Sequence, residues 1–185
     1  MSKEQNLIWA EEAIWRVKMI VPAGAGNRIE DIYRSGGRVN QRRINLDRAE
    51  SARLERDGMN RYTAIETVAR ASGIGNCGEQ AAMAFRHLTH ETAAPDVAMI
   101  ELKGWNHTCV VVGATRLVGA DFRTVTIDRA PDLGPEAVIC DPWFGMAYDV
   151  THWTANMTAT LAQTCWGKQA ATLSRMEVLV HSRGG

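Results

Sequence analysis

The chain begins with helical spacing of its apolar positions. Residues 4–20 place charged side chains between apolar ones, which are Leu7, Ile8, Ile14, Trp15 and Val17. This spacing predicts an amphipathic helix that ends before Pro22 and packs its apolar stripe on the domain. The glycines within residues 23–27 indicate a turn, and the polar, basic residues 34–43 are typical of a mobile loop.

A second helical region follows at residues 47–72, with a break expected at Gly58 and an end at Gly73. The glycine-rich stretch 73–80 then runs into small and apolar residues that suit a buried helix. Cys77 is therefore expected at the N-terminus of that helix.

Beyond Pro95 the pattern changes to short apolar runs that predict strands. The expected strands are residues 97–102, 107–112, 122–127, 137–140 and 176–181. Because the helices precede the strands, the sequence predicts an α+β fold in which N-terminal helices pack against an antiparallel sheet. The charged residues between Gly113 and Glu136 are expected to form a hairpin with a loop.

Length and composition indicate one globular domain. The 185 residues fit a single domain spanning residues 1–185, in which residues 1–45 are a candidate helical N-terminal extension. The 21 basic and 21 acidic side chains exclude a strongly basic nucleic-acid binder. No apolar run is long enough to span a bilayer, and no secretory signal pattern is present. The cysteines are therefore expected to be free thiols: Cys77, Cys109, Cys140 and Cys165.

Cys77 has the local surroundings of a reactive thiol. The thiolate is the nucleophilic form, and both a helix N-terminus and a neighbouring imidazole favour it. Gly73, Gly75 and Gly78 let the backbone turn sharply and let a substrate approach the sulfur. Backbone N–H groups of the first helical turn are expected to bind an oxyanion.

Two later residues complete a catalytic arrangement. His107 opens the most apolar predicted strand, where it is expected to be held rigidly enough to act as general base and acid. Asp141 ends another strand and precedes Pro142, so the chain leaves the sheet and the carboxylate stays at the strand tip. From there Asp141 is expected to orient the imidazole through the nitrogen that faces away from the thiol. The order Cys, His, Asp therefore predicts a thiol-dependent enzyme.

Three segments, residues 75–81, 106–112 and 138–143, resemble the papain-like toxin and effector superfamily of bacteria. The resemblance covers roughly residues 70–150 and implies a papain-like fold with Cys77 as nucleophile, His107 as base and Asp141 as its orienting acid. No cofactor and no metal are expected. The implied activity is deamidation of glutamine or asparagine in a protein through a thioester, with a cysteine protease or a transglutaminase as alternatives on the same triad.

The same resemblance implies how such a protein is used. It would be made in a bacterial cytoplasm without a cleavable signal peptide and delivered into a host or competitor cell, where it acts on a protein substrate. A cognate immunity protein or a chaperone is a further candidate partner, and no nucleic-acid or membrane partner is expected. A non-catalytic binding module on the same fold is the alternative from another functional class.

The sequence departs from many papain-like proteases at the oxyanion donor, because residues 70–76 contain no glutamine. Either Asn76 or a backbone amide must replace it, or the mechanism differs. The candidates for the oxyanion site or the substrate cleft are Asn76, Gly78, Trp105, Asn106 and Trp143. Core packing is an equal alternative for the two tryptophans.

A metal site is another use of the same strand ends, with the candidate ligands His107, Cys109, Cys140 and Asp141. However, the paired Cys-x-x-Cys spacing of structural zinc sites is absent. In strands, Cys109 would share the face of His107, whereas Cys140 and Asp141 would point to opposite faces. His87 and His90 are three residues apart on a helix, where a solvated helical face is expected.

Overall fold

The computed structural model describes residues 1–102, 107–117, 124–125, 133–152 and 176–182. Within these ranges the chain has the predicted α+β fold, in which the helices precede the strands. The helices are α1 (Lys3–Ile20), α2 (Ile29–Arg34), α3 (Gln41–Arg56), α4 (Arg61–Ser72) and α5 (Cys77–His90). The strands are β1 (Val97–Leu102), β2 (His107–Val112), β3 (Thr124–Val125), β4 (Val138–Asp141), β5 (Met146–Asp149) and β6 (Met176–Ser182).

The strands form one sheet with the order β3-β6-β1-β2-β4-β5, and each neighbouring pair is antiparallel. In the β2–β4 pair, Val110 lies opposite Cys140 and Val112 opposite Val138. Because the two strands run in opposite directions, the first residue of β2 and the last residue of β4 lie at the same end of the sheet. These residues are His107 and Asp141.

The two faces of the sheet bury different side chains, as strand alternation requires. Val110 and Cys140 pack with α1 and α5 in one core cluster. Cys109 and Ile139 belong to a second cluster on the other face. Cys109 and Cys140 therefore point away from each other, and this separation confirms the argument against a four-ligand metal site.

Helix α1 is part of the main core, although its buried face differs from the prediction. The structure buries small and β-branched residues of this helix against α5 and the sheet, namely Ala10, Ala13, Ile14, Val17 and Ile20. Ile8 and Trp15, predicted on the buried stripe, are 55% and 66% exposed, so the prediction is wrong for both. Alanines at the contact allow α1 to approach the alanine-rich α5 closely, which leaves no space for a tryptophan.

The loop predicted at residues 34–43 is shorter in the structure, because α2 ends at Arg34 and α3 begins at Gln41. Asn40 caps α3 by accepting a hydrogen bond from the Arg43 N–H at 3.0 Å. Helix α2 was not predicted, and neither was β5. Both elements are short and depend on tertiary partners that a local pattern does not contain.

The glycine predictions are confirmed. Gly58 has φ +96° between α3 and α4, and Gly73 has φ +73° at the end of α4. Of the predicted strand 122–127 the structure describes Thr124–Val125, which pairs with β6. The rest of the predicted hairpin between Gly113 and Glu136 lies largely outside the described residues.

Candidate active site

Cys77 is the first residue of α5, as the sequence predicts. The preceding residue, Asn76, has an extended backbone, and its N–H donates to Glu79 Oε2 at 3.0 Å. The buried Gln80 amide donates to the Gly75 carbonyl at 2.7 Å and so ties the entering loop to the helix. Local capping therefore fixes the backbone on both sides of the sulfur.

The turn at residues 23–27 pairs with the loop that precedes Cys77. The Ala23 N–H donates to the Gly73 carbonyl at 3.0 Å, and the Gly75 N–H donates to the Gly24 carbonyl at 3.1 Å. This pairing brings the N-terminal part of the chain to the nucleophile.

A buried carboxylate fixes the shape of that turn. Asp31 of α2 accepts a hydrogen bond from the Ala25 N–H at 2.8 Å and another from the Arg34 side chain. Gly24 has φ +91°, and a Cβ there would lie 2.3 Å from the Asp31 side chain. Glycine is thus required at residue 24, both for backbone conformation and for space.

His107 and Asp141 form the second part of the site. His107 Nε2 lies 2.6 Å from Asp141 Oδ2, and the Phe144 N–H donates to the other carboxylate oxygen at 3.1 Å. His107 is 3% exposed and Asp141 is 0% exposed. The Trp143 and Phe144 rings lie 5.4 and 5.1 Å from the imidazole. The imidazole is therefore held by one charged partner and two aromatic walls.

The sulfur and the imidazole meet between the helix and the sheet. A side-chain hydrogen bond joins Cys77 to His107. Because Asp141 engages Nε2, the imidazole has Nδ1 left for the sulfur. The structure thus brings together the three residues that the sequence singled out, in the order thiol, imidazole, carboxylate.

The charge state of His107 follows from this arrangement. Burial alone lowers the pKa of the imidazole, but the Asp141 carboxylate and then the Cys77 sulfur outweigh burial and raise the pKa of His107 to about 10. At neutral pH the ring is therefore an imidazolium. A positive charge beside a sulfur stabilises the thiolate, which is the nucleophilic form of a cysteine.

Two further cysteines are unsuited to the same chemistry. Cys109 and Cys140 are fully buried, and burial raises the pKa of both thiols. Cys165 lies outside the described residues. Within the described ranges, all three cysteines are free thiols, as predicted.

The histidine pair on α5 differs from the prediction. His87 is 4% exposed and lies between Glu91, 3.3 Å from Nδ1, and Glu12, 3.6 Å from Nε2. A solvated face is therefore wrong for His87, whereas His90 is exposed. No group of three or more potential ligands for a metal ion occurs in the part of the chain that the structure describes.

The candidate residues for the oxyanion site and the substrate cleft lie at different positions around the site. The Asn76 side-chain amide donates to Gln41 Oε1 at 3.2 Å, and this bond holds it towards α3. Gly78 lies in the first turn of α5, where N–H groups have no partner within the helix. Trp143 is buried against Cys77 and His107. Trp105 and Asn106 lie outside the described residues.

Several residues of the site were missed from the sequence. Ala25 packs against Cys77 and Trp143. Asn27 Oδ1 accepts from the Trp143 indole at 3.1 Å, and Arg28 donates to the Trp143 carbonyl at 2.8 Å with its guanidinium 5.6 Å from the ring centre. The glycine-rich composition of residues 23–27 was the available signal, because such turns allow close backbone approach.

Comparison with known proteins adds no relative: no protein-family model, curated protein or solved structure matches the chain. Among the helices that the structure describes, none is long and apolar enough to cross a membrane. The geometry of Cys77, His107 and Asp141 is therefore the observation that bears on function.

Proposed function

We propose that this chain is a cysteine-dependent amidohydrolase, a deamidase of glutamine or asparagine side chains in proteins, on a papain-like fold. The observation that carries the proposal is the hydrogen-bonded series from Cys77 through His107 to Asp141. A thiol at a helix N-terminus, a rigid imidazole and a buried carboxylate are the groups that acyl transfer through a thioester needs. The antiparallel sheet behind an N-terminal helical layer agrees with the papain-like assignment.

The reaction begins with attack of the Cys77 thiolate on the carboxamide carbon, which forms a C–S bond and moves the carbonyl π electrons onto oxygen. The His107 imidazolium then gives its proton to the amide nitrogen, and ammonia leaves as the C–N bond breaks. A thioester remains. Water, deprotonated by the now neutral imidazole, attacks the thioester, and the C–S bond breaks to give a carboxylic acid and the thiolate beside the restored imidazolium. The net change is amide plus water to acid plus ammonia.

Each supporting group has a role in these steps. Asp141 holds the imidazole and stabilises its positive charge during the first step. In this mechanism the N–H groups of the first turn of α5, including that of Gly78, donate to the oxyanion. Trp143 and Phe144 cover the imidazole and limit its contact with water.

Sequence resemblance supplies the biological setting of the proposal. The three segments around Cys77, His107 and Asp141 resemble bacterial effectors and toxins of the papain-like superfamily. The substrate would then be a protein of a host or competitor cell, and an immunity protein or chaperone would accompany the enzyme in the cell that makes it.

Mass spectrometry of treated proteins tests the activity. A cell extract is incubated with the wild-type protein, and its peptides are searched for mass changes. Deamidation of a carboxamide adds about one dalton, proteolysis gives new chain ends, and transglutamination gives amine adducts, since all three share the acyl-thioester step. We expect the one-dalton change at glutamine or asparagine.

Two variants control this experiment. Cys77→Ala should abolish the one-dalton change. Any deamidation seen with this variant is spontaneous and is subtracted from the wild-type signal. Cys140→Ala removes a fully buried thiol that donates to the Ala10 carbonyl of α1, and this variant should retain the change. An unmodified extract together with a Cys77 thiol inert to iodoacetamide would refute the enzymatic proposal. A cellular effect that persists in Cys77→Ala would favour a binding module.

A further inference from the structure

A cavity of about 410 Å³ lies beside the site, between α3, α4, α5 and the start of the β1–β2 pair. Its deepest lining consists of buried apolar side chains, which include Ile44, Val68, Ala69, Ala82 and Met99. Charged side chains, among them Arg48 and Glu55, stand at its exposed margin. The volume is at the small end of ligand pockets, so it suits one or two side chains.

The cavity lies next to the chain neighbours of two residues of the proposed triad. Gly78 and Thr108 line it, and they directly follow Cys77 and His107 in the chain. A Cβ added at Gly78 would meet no atom within 4 Å, so the space beside this residue is open. On another side the sulfur is covered by Ala25 and Trp143. The cavity therefore lies on the Gly78 side of the nucleophile.

Electrostatics link the margin of the cavity to the sulfur. The Arg48 guanidinium binds the Glu79 carboxylate, with Nε 2.6 Å from Oε1. This hydrogen bond raises the pKa of Arg48, and the nearby Cys77 adds to the effect. Glu79 in turn accepts the N–H of Asn76, the residue before the nucleophile. The wall of the cavity and the backbone of the site are thus one connected unit.

We infer that this cavity is the subsite that binds an aliphatic or aromatic side chain of a polypeptide substrate, next to the amide that Cys77 attacks. The inference rests on the proposed function and defines its substrate: a protein segment with a large apolar residue near the reacting glutamine or asparagine. The apolar lining supplies affinity for that side chain.

Alkylation kinetics test the subsite without knowledge of the natural target. Iodoacetamide and N-benzyl-iodoacetamide both react by displacement of iodide by the thiolate, but only the second carries an apolar ring. The rate with the benzyl reagent is divided by the rate with iodoacetamide, both for Cys77 and for glutathione. We expect this ratio to be about tenfold higher for Cys77 than for glutathione, because the ring is buried in the cavity. Peptide mapping by mass spectrometry confirms that the modified residue is Cys77.

Two matched variants on α3 locate the effect. Ala52→Phe places a ring at the cavity, and Ala49→Phe places the same ring one turn earlier on an exposed residue that does not line it. Ala52→Phe should reduce the benzyl preference, which is the ratio of the two alkylation rates, to about one. Ala49→Phe should keep the preference.

The outcomes separate the subsite from the activity. A wild-type ratio equal to that of glutathione, or an equal loss in both variants, would overturn the subsite, while rapid alkylation by iodoacetamide would leave the proposed function standing. A Cys77 inert to both reagents would overturn the proposed function and the subsite together.

Discussion

Replacement of Asp141 by asparagine removes one charge beside His107 and keeps an oxygen that can accept a hydrogen bond. An opposite charge within about 4–6 Å moves a pKa by about 1–3 units, and each unit corresponds to about 1.4 kcal/mol. With Nε2 only 2.6 Å from Oδ2 and both groups buried, we expect the upper end of that range. The pKa of His107, about 10 in the wild type, should fall to about 7 in Asp141→Asn.

The same change alters the pH dependence of stability. An unfolded histidine has a pKa of about 6.5, so the native wild-type protein binds a proton that the unfolded chain releases above that pH. The resulting stabilisation is fully present below about pH 6.5 and is lost as the pH rises through the folded pKa of about 10. In Asp141→Asn the window shrinks to about pH 6.5–7. Between pH 6.5 and pH 10 the unfolding free energy of the variant should therefore fall much less than that of the wild type.

NMR titration of ring-labelled histidines measures the pKa of His107 directly, and a His107→Gln sample assigns the resonance. Urea denaturation at pH 6.5 and pH 10 measures stability. Asp149→Asn is the matched control, because Asp149 is also the last residue of a strand but pairs with Lys3 of α1 instead of His107. An unchanged His107 pKa in Asp141→Asn, with the fold intact, would refute the assignment of the carboxylate as the group that charges the ring.

Two pairs of substitutions test the fold in the same denaturation assay. Gly24→Ala and Gly58→Ala both place a Cβ at a positive φ, +91° and +96°, at a cost of about 1–2 kcal/mol, but only the first collides with the Asp31 side chain. Gly24→Ala should therefore lose more stability and should also slow alkylation of the nucleophile; equal losses would contradict the steric role of the turn. Leu88→Ala, at a side chain with 0% exposure, should cost about 2–5 kcal/mol. Leu46→Ala, at 58% exposure, should change stability by less than about 0.5 kcal/mol, and similar losses at both positions would contradict the assigned core.

The three residues of the proposed triad were predictable because each member carries a local signal. Cys77 lies where a glycine-rich turn meets an apolar helix, and His107 and Asp141 begin and end apolar strands. Capping and strand alternation act over a few residues, so the sequence contains them directly. The α+β class and the ends of the helices at Gly58 and Gly73 were predictable for the same reason.

The surroundings of the triad were not predictable, because they come from distant parts of the chain. Whether Trp15 is buried depends on the space that α1 finds against α5, and helical periodicity alone does not supply it. Helix α2 and strand β5 are too short to be stable alone and exist through their tertiary contacts.

By itself, the sequence determined which residues form the candidate triad and which elements carry them. Only the tertiary structure decided that His107 meets Cys77 on one side and Asp141 on the other, and that burial beside a carboxylate leaves the imidazole charged. It also decided that the turn around Ala25 covers the sulfur and that a cavity opens beside Gly78. The physical reason is that distances, burial and charge pairing depend on residues far apart in the chain, whereas residue type and spacing are local.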